Sequence, residues 1–192
     1  MDTIQIVSYI LSGVHTTCNN TIQDVTNMRI DFQPLSSEST IIFDYSFSMG
    51  VLKNNKRQTG RWGFWLKDYT HDRIIDANDY KKNKNNSFIS SVVTPNITPQ
   101  HITEAHFPGW ETRPRFIYTS TDTIKRTIGL AIRNDSGSFT NPTQTKDNDD
   151  LFAVKNDDYE VFIGPTDEWN KWFMVNPCPT TCVVKEILLL MV

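Results

Sequence analysis

The chain has only three cysteines, no long apolar run and no cluster of basic residues, and each shortage removes a class of protein. Cys18, Cys178 and Cys182 form an odd set, and the one close pair, in Cys-Pro-Thr-Thr-Cys, has a spacing used neither by zinc ribbons nor by thioredoxin-like sites. Free or buried thiols and a local Cys178–Cys182 bridge are the readings left, so stability has to come from burial rather than from a covalent framework. No apolar stretch approaches the ~18 residues of a membrane span; the longest is Ile187–Val192, so insertion into a membrane is not expected. Met1–Leu11 lacks the basic start and the small-residue cleavage site of a secretory leader, which makes the sequons at Asn19, Asn85, Asn96 and Asn134 chance matches in an Asn-rich chain. Lys and Arg number 19 against 22 Asp and Glu, for a net charge of −3 and a pI near 5.8, with no basic tail at either end. Nucleic acid is therefore not an expected partner, because displacing its counterions takes clustered cations.

The signatures of catalysis are missing as well. There is no Gly-x-Ser-x-Gly elbow, HExxH, strand-linked GxGxxG or phosphate-binding loop. Of His15, His71, His101 and His106, only the last two are close. Their five-residue separation fits neither one helix face nor one strand face, so no metal site and no cofactor is expected there. The expectation is a protein that is not an enzyme.

What the chain does have is alternation. In Thr21–Met49, Met28, Ile30 and Phe32 point one way and Arg29, Asp31 and Gln33 the other. Beyond a Pro-Ser turn, Ile41, Phe43, Tyr45, Phe47 and Met49 share a face opposite Ile42, Asp44, Ser46 and Ser48. A period of two over this length specifies half-buried antiparallel strands, since a helix would scatter those rings around its axis. Further strands are expected at Ile4–Leu11, apolar on both sides, and at Trp62–Lys67, Phe88–Val93, Arg115–Ser120, Thr127–Arg133, Tyr159–Ile163, Lys171–Val175 and Val183–Met191. About ten short strands separated by Asn, Asp, Ser, Gly and Pro clusters predict an all-β fold, an antiparallel β-sandwich of jelly-roll-like kind. Its 192 residues are expected to make a single domain, 1–192, since a split becomes the default only near ~250 residues.

Residues 76–87 and 134–150 are polar and read as long loops, hence candidate contact surfaces or solvated connections. Asp147, Asp149 and Asp150, followed by Asp157 and Asp158, could gather oxygen ligands around Ca²⁺. They lack the glycine and terminal glutamate of an EF-hand loop, and a solvated acidic loop is the ordinary reading. The tryptophans Trp62 and Trp65 lie three apart, so on a strand they face opposite sides; Trp169 and Trp172 have the same spacing, and Trp110 sits in a Pro-Gly-Trp loop. Exposed rings anchor sugars and protein partners at small entropic cost, which makes Trp65, Trp110 and Trp169 the candidate binding residues, against the alternative that all five are packed inside.

The order of segments resembles fibre and tail-fibre domains of phages and other large DNA viruses. The opening IQIVSYILSGVHTTCNNTIQDVTNMRIDFQPLSSESTIIFDYSF runs as a first strand, a threonine-rich link, a strand, a Ser-rich turn and a second alternating strand. GFWLKD at 63–68 falls where those domains carry a strand with a charged tip, and YEVFIGPTDEWNKW followed by VVKEILLLMV resembles their closing strands. The tryptophan content and the CPTTC stretch depart from that pattern. The resemblance implies a virion component, often trimeric, that contacts other virion proteins or a host-surface glycan; it transfers no functional residue. The apolar run at the end of the chain would leave both faces of its strand wanting cover, as in a central strand or a subunit interface, so a homo-oligomer is expected. Starting at Met1, the chain reads as a free-standing subunit. Two rivals are a secreted β-sandwich lectin or membrane-acting toxin, and a carbohydrate-active enzyme, for which two close carboxylates in a cleft would be the support.

Overall fold

Strand β5, Thr40–Lys53, is the spine of the molecule. The computed structural model describes residues 2–19, 21–53, 56–57, 62–75, 110–134, 158–173 and 176–188. Along one edge β5 pairs first with β13 (Thr180–Leu188) and then with β12 (Tyr159–Ile163). Along the other edge it pairs with β10 (Arg115–Thr119), β9 (Trp110–Thr112) and β6 (Lys56–Arg57). Beyond β13 lies β1 (Asp2–Leu11), and beyond β12 lies β2 (Val14–Cys18), giving an eight-stranded sheet. The second sheet has five strands: β3 (Gln23–Asp24) and β4 (Ile30–Phe32) both pair with β11 (Arg126–Asn134), which pairs with β7 (Trp62–Asp68), which pairs with β8 (Arg73–Ile74). Every pairing is antiparallel.

The period of two decides what lies between the sheets. Ile41, Phe43, Tyr45, Phe47, Met49 and Val51 of β5 face inward with Phe116, Tyr118, Val161, Ile163, Cys182 and Val184 of their neighbours. The second sheet answers with Ile30, Phe32, Phe64, Leu66, Ile128, Leu130 and Ile132, and rings from the two sheets meet, Phe47 on Phe64 with centroids 5.5 Å apart and Phe32 on Phe43 at 5.9 Å. The chain is an all-β, two-sheet sandwich. Its strand order supports that architecture.

Three expected elements come out differently. The Thr-rich link at 14–18 is β2, because its Cα partners on β12 give a full ladder from Val14↔Ile163 to Cys18↔Tyr159. The strand expected from Met28 starts at Ile30, after a 3-10 turn over Thr26–Met28. Where a strand is expected from Lys171, the chain forms a short helix α1, Trp169–Trp172. A helix places residues i and i+3 on one side, so Trp169 and Trp172 meet the same cluster instead of facing apart. Expected strand 88–93 lies outside the described residues.

That cluster is a second core, on the far face of the large sheet. Leu52, Phe162, Trp169 and Phe173 are buried in it, and His15 stacks on Phe162 at 4.1 Å and 11°. Gly50 is required here: a Cβ on it would lie 2.2 Å from the Phe173 ring. Gly164, at φ +69°, makes the turn out of β12 in the left-handed region that glycine tolerates, and a Cβ there would meet Thr180 Oγ1 at 1.9 Å.

Candidate functional site

At one end of the sandwich the inward-facing positions change from apolar to charged. On β7 the inward series Phe64, Leu66 continues to Asp68, and on β11 the series Ile132, Leu130, Ile128 runs back to Arg126. Asp68 is 0 % and Arg126 7 % exposed. The opposite sheet contributes Tyr118, also 7 % exposed, at the end of the inward row of β10. With Arg73 of β8 and Thr119 and Thr121 at the rim, these side chains line a pocket of about 150 Å³.

Asp68 is the anchor. Its Oδ1 accepts hydrogen bonds from the backbone N–H of Thr70 (3.0 Å) and His71 (3.2 Å), which closes the turn after β7. Its Oδ2 lies 2.7 Å from His71 Nδ1, 3.4 Å from Arg126 Nε and 3.8 Å from Arg73 Nε. Arg126 also donates from Nη2 to the Asp122 carboxylate, whose pKa is held low by the backbone N–H of Ile124 and by this guanidinium. The Arg126 charge is therefore shared between two carboxylates. Two polar atoms remain without a hydrogen-bond partner, Arg126 Nε and the Tyr118 hydroxyl. Burial pushes the Tyr118 phenol up to about 12, with the Arg126 guanidinium beside it partly opposing that rise. The phenol stays a neutral donor and acceptor at any physiological pH.

Glu186 offers a contrast. Also 0 % exposed, it accepts from the backbone N–H of Leu35 (2.9 Å) and Ser36 (3.0 Å) and from the Ser39 hydroxyl (2.5 Å). It ties the turn after β4 to β13, and its binding capacity is spent on structure.

The residues singled out from the sequence are placed elsewhere. Trp65 is 7 % and Trp169 1 % exposed, against the exposure expected of both, so neither presents a ring to a ligand. Trp169 is buried because α1 turns it onto Phe173 and Leu52. Trp110 lies on β9 opposite Met49. Asp147, Asp149 and Asp150 lie outside the described residues, as do His101 and His106. Among the described residues no group of three or more His, Cys, Asp or Glu is arranged to hold a metal ion, and no helix is long and apolar enough to cross a membrane. None of the three cysteines is in a disulfide; Cys18 and Cys182 are buried, and Cys178 accepts a hydrogen bond from the Ser48 hydroxyl at 3.1 Å. The pocket residues Asp68, Arg126 and Tyr118 were not foreseen. Their signal is the inward parity of each strand extended to its last residue, where a charge or phenol replaces an aliphatic side chain.

A second feature is a surface. The outward face of β1, β13, β5 and β10 carries Ile6 (61 % exposed), Ile10 (88 %) and Ile117 (36 %), with Ile42, Val183 and Ile187 half-buried among them. Across the ladder Ile6, Lys185, Ile42 and Ile117 form one row, and Ser8, Val183 and the ion-paired Asp44 and Arg115 the next. Among the described residues no strand pairs with the far edge of β1. No family model matches this chain, and no curated protein matches it.

Proposed function

We propose that the chain is a non-enzymatic structural subunit that assembles with further copies of itself through the β1 edge and the outward face beside it. The resemblance of its segment order to viral fibre domains supports placing that assembly in a virion, in contact with other virion proteins. The observation that carries the reading is the bare apolar face with Ile6 and Ile10 at its open edge. Isolated exposed apolar residues need no explanation, but Ile6, Ile10, Ile42 and Ile117 gathered on one face, interrupted by Lys185 and the Asp44–Arg115 pair, beside a strand edge that nothing pairs with among the described residues, do. Strand β1 is ten residues long, its only charge is Asp2, and it has no proline, so it lacks most devices that keep sheet edges apart. The bulge between Thr3 and Gln5 leaves Gln5–Leu11 in regular register. A second β1 is the partner whose backbone donors and acceptors match it.

Size-exclusion chromatography with light scattering tests this directly. A mass of two or more copies is expected, and Ile6→Lys with Ile10→Lys returns it to one copy without loss of fold. A wild-type monomer at all concentrations, or an oligomer indifferent to both lysines, overturns the reading.

A further inference from the structure

We propose that the pocket between Asp68, Arg126 and Tyr118 binds a neutral hydroxylated ligand, a single sugar ring at the end of a glycan or free in solution. Buried polar groups almost always make hydrogen bonds, so two that lack one and converge on one cavity, the Arg126 Nε being held only by its 3.4 Å ion pair to Asp68, mark a place where a partner belongs. The Tyr118 hydroxyl and Arg126 Nε are such a pair, each on a side chain more than nine-tenths buried, and both line the same pocket.

Charge selects the class of partner. An anion on Arg126 Nε would come close to the Asp68 carboxylate, whose Oδ2 is 3.4 Å from that nitrogen, while Asp122 already occupies Nη2. The carboxylates of Asp68 and Asp122 balance the guanidiniums of Arg126 and Arg73, so the site has no surplus positive charge to hold an anion. A hydroxyl meets no such penalty: its oxygen accepts from the Arg126 Nε–H, its proton goes to Asp68 or Tyr118, and neighbouring hydroxyls find Thr119 and Thr121 at the rim. Size agrees. A pocket of about 150 Å³ is well below the ~300 Å³ at which sites for drug-sized ligands begin, so it suits one small ring.

This inference does not rest on self-assembly, and its readout is separate. Ligand-observed NMR titrations of the full chain with glucose, galactose, mannose and N-acetylglucosamine, beside acetate and inorganic phosphate, provide the test. Saturable binding of at least one neutral sugar is expected. It weakens tenfold or more in Tyr118→Phe, which removes the hydroxyl beside the Arg126 guanidinium and keeps the ring, and it is blocked by Thr121→Phe at the exposed rim. Oligomer mass stays unchanged in both variants. Saturation by acetate or phosphate with the sugars silent would make this an anion site, and no saturable binding would make it a water-filled void. Sugar binding that survives Tyr118→Phe would place the sugar elsewhere; each of these three results overturns the proposal.

Discussion

The outward side of the large sheet is built in two ways. Around the second half of β5 it is covered: α1 and the segment after it lay Trp169 and Phe173 over Leu52, Gly50 and Phe162, and Cys178 binds Ser48. Around the first half nothing covers it among the described residues, with Ile42 and Ile117 in the middle and Ile6 and Ile10 at the edge. The same strand, with the same alternation, thus carries a second core at one end and an uncovered apolar surface at the other. The protein covers such a face where one short helix is enough, and the remaining surface is where the proposed second copy docks.

The largest effects should fall on the covered regions, and equally on both sides of the sheet. Phe43→Ala and Phe47→Ala on the inner side, and Trp169→Ala on the outer, are each expected to cost about 3 to 5 kcal/mol in denaturant unfolding, as for large rings removed from packed sites. A Trp169→Ala midpoint close to that of Ile10→Ala would reduce α1 to a loosely attached flap and erase the contrast. Next in size is Gly50→Ala. The added methyl would lie 2.2 to 2.6 Å from atoms of the Phe173 ring and must push it aside, for a loss of about 1 to 3 kcal/mol typical of overpacking. Wild-type stability in that variant would mean that the ring is not seated on the glycine. On the bare half, Ile10→Ala should change unfolding of the isolated subunit by no more than about 0.5 kcal/mol, as for ordinary surface changes, because the side chain is 88 % exposed. A larger loss in the monomer would mean that this face is already covered.

How far the fold could be read from the sequence differs between the two halves. Inward rows of three or more residues, such as Phe43–Tyr45–Phe47 and Ile128–Leu130–Ile132, announce themselves because each residue repeats the signal of the last. Strand β2 does not, since Thr16 and Thr17 hide the alternation, and its identity comes from pairing with β12, far along the chain. Helix α1 spans four residues, too few for a 3.6-residue period to register, so local pattern gives its tryptophans strand geometry. The candidate pocket was illegible for a related reason. Local alternation gives each of Asp68, Arg126 and Tyr118 its direction, but only the registers Ile128↔Asp68 and Tyr118↔Ile41, and the packing of one sheet on the other, bring them together. Non-local register is set by the whole core, not by a window of neighbours.

The smallest effect concerns protons, and it separates the inner face from the outer one. Cys182 and Tyr118 both point inward, and burial raises the thiol from 9.0, and the phenol from 10.0, each to about 12. Tyr45, opposite Cys182 in the ladder, is raised as well, chiefly by its burial. In the unfolded chain these groups release their protons near the ordinary values, whereas the folded chain holds them. Native stability from this source is thus fully present below about pH 9 and is lost as pH climbs toward 12, because the unfolded state binds fewer protons in that window. The thiol acts first. Unfolding midpoints measured between pH 8 and 10 should fall in the wild type and fall less in Cys182→Ala, while Tyr118→Phe flattens only the part above pH 10. Arg115 on the outer face, held protonated beside Asp44, contributes nothing to that slope. Equal slopes in wild type and Cys182→Ala would mean that water reaches the thiol, and that the inner face of β13 is as open as its outer face.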